Sequence, residues 1–250
     1  MLIHPTIDTM KSLKLFGMAR ALEAQMELKE ARELSFEERL AILLEAESLE
    51  RDNRSLKSRL KTSKLRLSAC MEDLKISSSR GLDRSVITTL ATGDWVRDKQ
   101  NIAITGPTGS GKTYLACALA HSACRHGYSA IYHRATSLFD DLAIGKGDGR
   151  YRRILSSIAS KKLLIIDDFG LEPLNAESRR DLLEIMEQRY ESASTIITSQ
   201  FDEVHWHQLI GDPTLADAIL DRFVHNAHKL KVKGEKGESM RKNKKSIQNG

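Results

Sequence analysis

The chain has 250 residues, of which 40% are hydrophobic and 29% charged, with a formal net charge of +5. That composition suits a globular protein with one substantial core and a smaller appended domain, and it excludes a membrane-spanning design because no apolar run approaches roughly 20 residues. The first segment has no apolar signal core and no small-residue cleavage site, so the expected location is the cytoplasm. Three cysteines without a CxxC pair read as buried thiols in a reducing compartment.

Residues 1–78 carry almost no strand signal. Leu13, Phe16, Met18, Leu22 and Met26 recur at helical intervals, and Ser35-Phe36-Glu37-Glu38 has the form of a capping box. A long helix is expected from there, with Leu40, Leu43, Leu44, Leu49, Leu56 and Leu60 as its apolar stripe. Arg51, Arg54, Lys57, Arg59, Lys61, Lys64 and Arg66 fall largely between those leucines, opposed only by Asp52, and the stretch from Lys229 to Lys245 repeats the basic bias. Together the two runs make a polyanion the expected partner. Ser77–Gly81 reads as a joint, giving a helical domain over 1–78 and a second domain over 79–250.

Beyond that joint, short apolar strands alternate with amphipathic helices. Strands are expected at Asn101–Thr105, Ala130–His133, Lys162–Asp167, Thr195–Ser199 and near Lys229–Val232, and the helix after the third begins near Ala176. This alternation predicts an α/β fold with a parallel sheet flanked by helices on both faces.

Gly106-Pro107-Thr108-Gly109-Ser110-Gly111-Lys112-Thr113 satisfies G-x-x-x-x-G-K-[ST] between the strand NIAIT and the helix KTYLACALAHSA. The amides of such a loop bind phosphate oxygens, Lys112 adds charge at the β and γ positions, and Thr113 offers its hydroxyl to Mg2+. The strand LLIIDD ends on two acids, which are costly to bury unless something pairs with them. With the third strand running beside the first, Asp167 is placed to hold the Mg2+ shell and Asp168 to polarise an attacking water. Asn243-Lys244-Lys245-Ser246 lacks the aspartate of the guanine signature NKxD, which favours ATP over GTP. At the end of STIITSQ, Gln200 is the first choice for reaching the γ-phosphate or orienting the water, with Ser199 and Thr198 as alternatives.

The segments GPTGSGKTYLACALAHSACRHGYSAIYHR, LLIIDDFGLEPL, DLLEIMEQRYESASTIITSQ, GDPTLADAILDRFVHNA and GESMRK, with SFEERLAILLEAE and NRSLKSRLKTSKLR before them, resemble the IstB family of insertion-sequence helper ATPases. That family is related to the replicative helicase loader DnaC within the AAA+ class. The resemblance implies an AAA+ P-loop ATPase domain behind a helical N-terminal domain. It implies a homo-oligomer that assembles on duplex DNA with ATP and Mg2+, and a partner transposase of the IstA type. It also implies that Arg222, in LDRF, is an arginine finger reaching a neighbour's γ-phosphate, where a trans cation neutralises developing charge. Arg241, in GESMR, resembles the sensor-2 arginine and lies in a segment, KGEKGESMRK, that repeats KGE. Lys57, Arg59, Lys61, Lys64 and Arg66 become backbone contacts on duplex DNA, which weaken steeply with salt and carry little sequence preference. Aromatics make up only 5% of residues, which disfavours a stacking platform for single strands. The alternatives are a helicase-loader-like ATPase acting on single-stranded DNA and a replicative helicase, or a nucleotide-binding adaptor with negligible turnover.

Other signals are weaker. His205-Trp206-His207 and the His225/His228 pair lack a further ligand set and read as structural or surface residues. Trp95 packs either near the adenine or in the core, and GKGDGR (Gly145–Arg150) reads as a mobile loop or a turn.

Overall fold

The structure is a computed structural model that describes residues 3–28 and 30–234, and the chain forms two compact units dividing between Ser58 and Arg59. The first unit holds α1 (Ile3–Ser12), α2 (Phe16–Glu27) and most of α3 (Phe36–Ser63). The capping box forms as its spacing predicts: the Ser35 amide donates to Glu38 Oε2 at 2.8 Å, and the Glu38 amide donates to Ser35 Oγ at 3.2 Å. The first amides of α2 are satisfied from α3, because buried Glu47 accepts from Gly17 N at 2.8 Å and Met18 N at 3.2 Å. The expected leucine stripe does not pack as a unit. Leu43 is buried, Leu40, Leu44 and Leu49 are exposed, and Leu56 and Leu60 are half-buried. Within the first unit only a narrow strip of α3, marked by Leu43 and Glu47, is fully buried, so Leu40, Leu44 and Leu49 are left exposed and Leu56 is only partly covered.

The second unit starts inside α3 and not at the expected 78/79 joint. The chain turns at Lys64, whose φ is +51°, and Leu65, Leu67, Ala69 and Met71 then pack on Tyr114, Cys117, Ala118 and Tyr132. This apolar contact commits residues 65–71 to the larger unit. Short helices α4 (Arg84–Ala91) and α5 (Asp94–Arg97) precede the sheet. There follow β1 (Asn101–Thr105), α6 (Lys112–Arg125), β2 (Ala130–Arg134), α7 (Ala135–Asp148), α8 (Tyr151–Ala159), β3 (Leu163–Phe169) and α9 (Ala176–Arg189). The described chain ends through β4 (Ser194–Ser199), α10 (Trp206–Ile210), α11 (Pro213–Val224) and β5 (Ala227–Lys231).

All five strands pair in parallel in the order β2-β3-β4-β1-β5. Strands β1 and β4 are buried along their whole length, as near-continuous β-branched and apolar runs should be in a covered parallel sheet. One expectation is corrected here: β3 does not run beside β1, because β4 lies between them. The end of β4 therefore reaches both the phosphate loop and the two acids.

Candidate nucleotide site

The phosphate loop follows β1 and ends at α6. Gly106, Gly109 and Gly111 have φ of +148°, +81° and +94°, and a Cβ on Gly106 would lie 2.0 Å from the Val232 carbonyl oxygen. Only glycine fits that position. Gly111 caps α6 without a side-chain bond, which leaves the first amides of the helix to an anion. Lys112 is buried, and its Nζ donates to the carbonyls of Gly106 at 2.7 Å and Pro107 at 2.9 Å. Ser110 Oγ is buried without a hydrogen-bond partner, so the loop holds an orphaned hydroxyl that a phosphate oxygen would satisfy. Behind the loop, buried Arg80 donates through Nη2 to Ser110 O at 2.9 Å and through Nη1 to Lys75 O.

The two acids sit where β3 departs from regular pairing with β4. Ile166 pairs with Ile197 and Phe169 with Ser199, so Asp167 and Asp168 together oppose Thr198. An extra residue at a strand end re-aims side chains, and here the two adjacent acids both come within 3.6 Å of the Arg66 guanidinium. Asp167 is fully buried and surrounded by hydroxyls. Thr198 Oγ1 donates to Oδ1 at 2.6 Å, Tyr132 OH donates to Oδ2 at 2.7 Å, and Thr113 Oγ1 lies 3.0 Å from both oxygens. Burial, and next the bond to Asp167, push the Tyr132 phenol well above the ordinary tyrosine range, so it remains a donor. Asp168 takes a left-handed backbone, φ +61°, held by donation of its amide to Thr198 Oγ1 at 3.0 Å. Its carboxylate meets two guanidinium groups: Arg134 Nε at 3.2 Å and Arg66 Nη1 at 3.6 Å. Arg66 Nη1 is also 3.6 Å from Asp167 Oδ2. The threonine hydroxyl and carboxylate oxygens of Thr113 and Asp167 are the hard donors that Mg2+ takes, so the residues fit that ion.

The other expected residues are placed as follows. Gln200 follows β4 and is half-buried, whereas Thr198 bonds to Asp167 and Ser199 Oγ bonds to Phe169 O at 2.8 Å. Arg222, on α11, donates to Glu187 Oε1 at 3.0 Å and to Ala218 O at 2.8 Å. Arg241 lies outside the described residues. Lys57, Lys61 and Lys64 are exposed, but Arg59 Nε donates to Cys124 O at 2.9 Å and Arg66 engages the acids. Trp95 is a core residue whose Nε1 donates to Leu90 O at 2.9 Å. The GKGDGR segment is helical through Asp148, with Gly145 packed on Ile154 and Tyr151; only Gly149 makes the turn. His207 pairs with Asp217 and His228 with Gln100, and among the described residues no group of three or more candidate ligands could hold a metal. Sequence reasoning missed Tyr132, Arg134 and Arg80. The signal for the first two was their place near the end of β2, beside β3, but only the register, with Arg134 opposite Asp167, reveals it.

Insertion of β4 between the strand that carries the phosphate loop and the strand that carries the acids is the layout of AAA+ P-loop nucleoside triphosphatase domains, and this chain has that fold. Among solved structures, DnaI superposes with a TM-score of 0.56 at 21% identity, covering 68% of this chain and 91% of that one. The DnaC helicase loader superposes with a TM-score of 0.54 at 18% identity, covering 66% and 96%. At such identities the likeness concerns the fold alone. The chain itself belongs to the family of IstB-like ATP binding proteins, which it matches over residues 8–248. It is 50% identical over 243 residues to the insertion sequence ATP-binding protein y4pL of Sinorhizobium fredii, covering 97% of this chain and 98% of the relative. Its identity to y4uH, of the same name and organism, is 45% over 241 residues, covering 96% and 97%.

Proposed function

We propose that this protein is a Mg2+-dependent ATPase of the cytoplasm that assembles with copies of itself on duplex DNA and presents that DNA to a partner transposase. The observation that carries the reading is the contact of Thr113 Oγ1 with both Asp167 oxygens beneath a complete phosphate loop, in a chain of the IstB-like family. The amides from Gly106 to Thr113 and the Lys112 ammonium receive the phosphates, with Lys112 exchanging the Gly106 and Pro107 carbonyls for phosphate oxygens. Thr113 and Asp167 hold Mg2+, which supplies charge neutralisation on the phosphates. Asp168 takes the proton of the attacking water, and Thr198 fixes its backbone for that task. Gln200 is kept as the water-orienting residue, and Arg241 as a further cation toward the nucleotide. Arg222 acts in trans after leaving Glu187, so that hydrolysis depends on assembly. Exposed Lys57, Lys61 and Lys64 supply phosphate contacts on the duplex.

The test is size-resolved binding to matched duplex and single-stranded DNA with and without ATP and Mg2+, with Lys112→Ala as control. Large ATP-dependent complexes on duplex, absent in the control, are expected. A preference for single strands moves the reading to a helicase loader, and binding indifferent to ATP refutes the switch.

A further inference from the structure

Arg66 belongs to no strand or helix of the sheet domain; it follows the end of α3, on the segment that lies across α6 and β2. Apolar packing anchors this segment, with Leu65, Leu67 and Met71 partly buried and Ala69 fully so, and the Cys117 thiol and Tyr114 hydroxyl also hydrogen-bond with its backbone at Arg66, Leu67 and Cys70. The Arg66 side chain is 44% exposed, yet its guanidinium stands 3.6 Å from one oxygen of each acid and beside Tyr132. Arg134 differs: its backbone is held in register opposite Asp167, and its Nε faces Asp168 alone.

We infer that Arg66 is an internal counter-ion of the metal site: it competes with Mg2+ for Asp167 and Asp168, so entry of Mg2+·ATP expels it and loosens residues 64–71. This rests on the reading of the site as one for Mg2+·ATP. A divalent cation held by Asp167 and the Arg66 guanidinium would stand within a few ångströms of each other, where like charges repel strongly at a part-buried site. Arg66 has a long side chain and a partly open position, so it is the partner that yields. By linkage, anything that draws Arg66 away from the acids tightens metal binding, and metal binding frees Arg66 by the same factor. The freed segment continues directly into α3, the helix that carries Lys57 and Lys61.

The experiment follows binding of a fluorescent, non-hydrolysable ATP analogue by anisotropy while Mg2+ is titrated, in the full chain and in Arg66→Gln and Arg66→Lys. Arg66→Gln is expected to lower the half-saturating Mg2+ concentration by about tenfold, with analogue binding in EDTA unchanged and Arg66→Lys close to the parent. Hydrogen exchange supplies the second readout. Amides of residues 64–71 are expected to exchange faster on addition of Mg2+ and analogue in the parent chain, and to exchange fast under all conditions in Arg66→Gln. A Mg2+ titration of Arg66→Gln that overlays the parent overturns the inference alone. Failure of the parent chain to bind the analogue at all overturns the nucleotide reading, and this inference with it.

Discussion

Thr198→Val tests whether one hydroxyl holds the two acids in place. In the native site Thr198 Oγ1 donates to Asp167 Oδ1 at 2.6 Å and accepts the Asp168 amide at 3.0 Å, and the residue is fully buried. The bond to a carboxylate contributes about 1.5–3 kcal/mol and the neutral amide bond about 0.5–1.5 kcal/mol, so valine should cost about 2–4 kcal/mol. Asp168 also loses the bond that keeps its backbone at φ +61° and is free to relax out of the left-handed region. The assay is urea unfolding followed by tryptophan fluorescence. Both tryptophans, Trp95 and Trp206, are buried in the second unit, so the signal reports on that unit. With an m-value of about 2 kcal/mol/M the midpoint should fall by about 1–2 M. Thr198→Ser keeps the hydroxyl and deletes one buried methyl, for a loss of about 1 kcal/mol. Valine keeps the methyl that serine deletes, so a valine loss no larger than that of serine would refute the reasoning: the two hydroxyl bonds would then contribute no more than one buried methyl.

Arg189 is buried to 2% and donates to the carbonyls of Ile158, Lys161 and Ser194 and to Thr195 Oγ1, so Arg189→Met should destabilise the second unit by about 3–5 kcal/mol; an unchanged melting temperature would contradict this. Burial pushes His133 below its ordinary value of 6.5, with Lys64 acting the same way and Asp141 opposing, and its Nε2 has no hydrogen-bond partner. The unfolded chain therefore takes up the proton first, and stability is lost as pH falls below 6.5 toward the folded value. His133→Gln should flatten the acid side of the stability profile relative to the parent, and parallel profiles would sink the assignment. Arg222→Ala should leave nucleotide affinity within about threefold and cut hydrolysis by about a thousandfold. Mixing it with Lys112→Ala subunits should restore part of the activity, and no recovery would count against a trans role.

Strands β1, β3 and β4 were legible because each is dominated by β-branched and apolar residues, and β1 matches its expected limits at both ends. The phosphate loop was legible because its chemistry depends on residues adjacent in sequence, from Gly106 to Thr113. What the sequence leaves open is which strands become neighbours. Strand order decides that Thr198, and not a residue of β1, touches Asp167. Register decides that Arg134 stands opposite Asp167. Arg66 was read as a DNA contact because charge runs are visible in a sequence, whereas the sharp turn at Lys64 that carries it to the acids is not. The leucines of α3 follow helical spacing, but spacing cannot say how much neighbouring surface is available to cover them.

The order of the sheet also bears on how the protein is made. Among the described residues strand β1 pairs only with β4 and β5, both of which lie far downstream of it in the chain. The loop after it depends on the same late residues: Gly106 N donates to Ser199 O at 3.2 Å, the Val232 carbonyl crowds Gly106, and Val232 N donates to Thr105 O at 2.8 Å. Even the Arg80 prop is tied in from the far end, through donation of Lys233 N to Arg80 O at 2.8 Å. At about 5–20 residues per second, a ribosome needs on the order of ten seconds to pass from the loop to those partners. Throughout that interval β1 has two open edges, which makes it a strand for chaperones to cover. A half-made chain that already displays GPTGSGKT therefore lacks the Ser199, Val232 and Lys233 contacts around its phosphate loop, which form only once synthesis has run past Lys233.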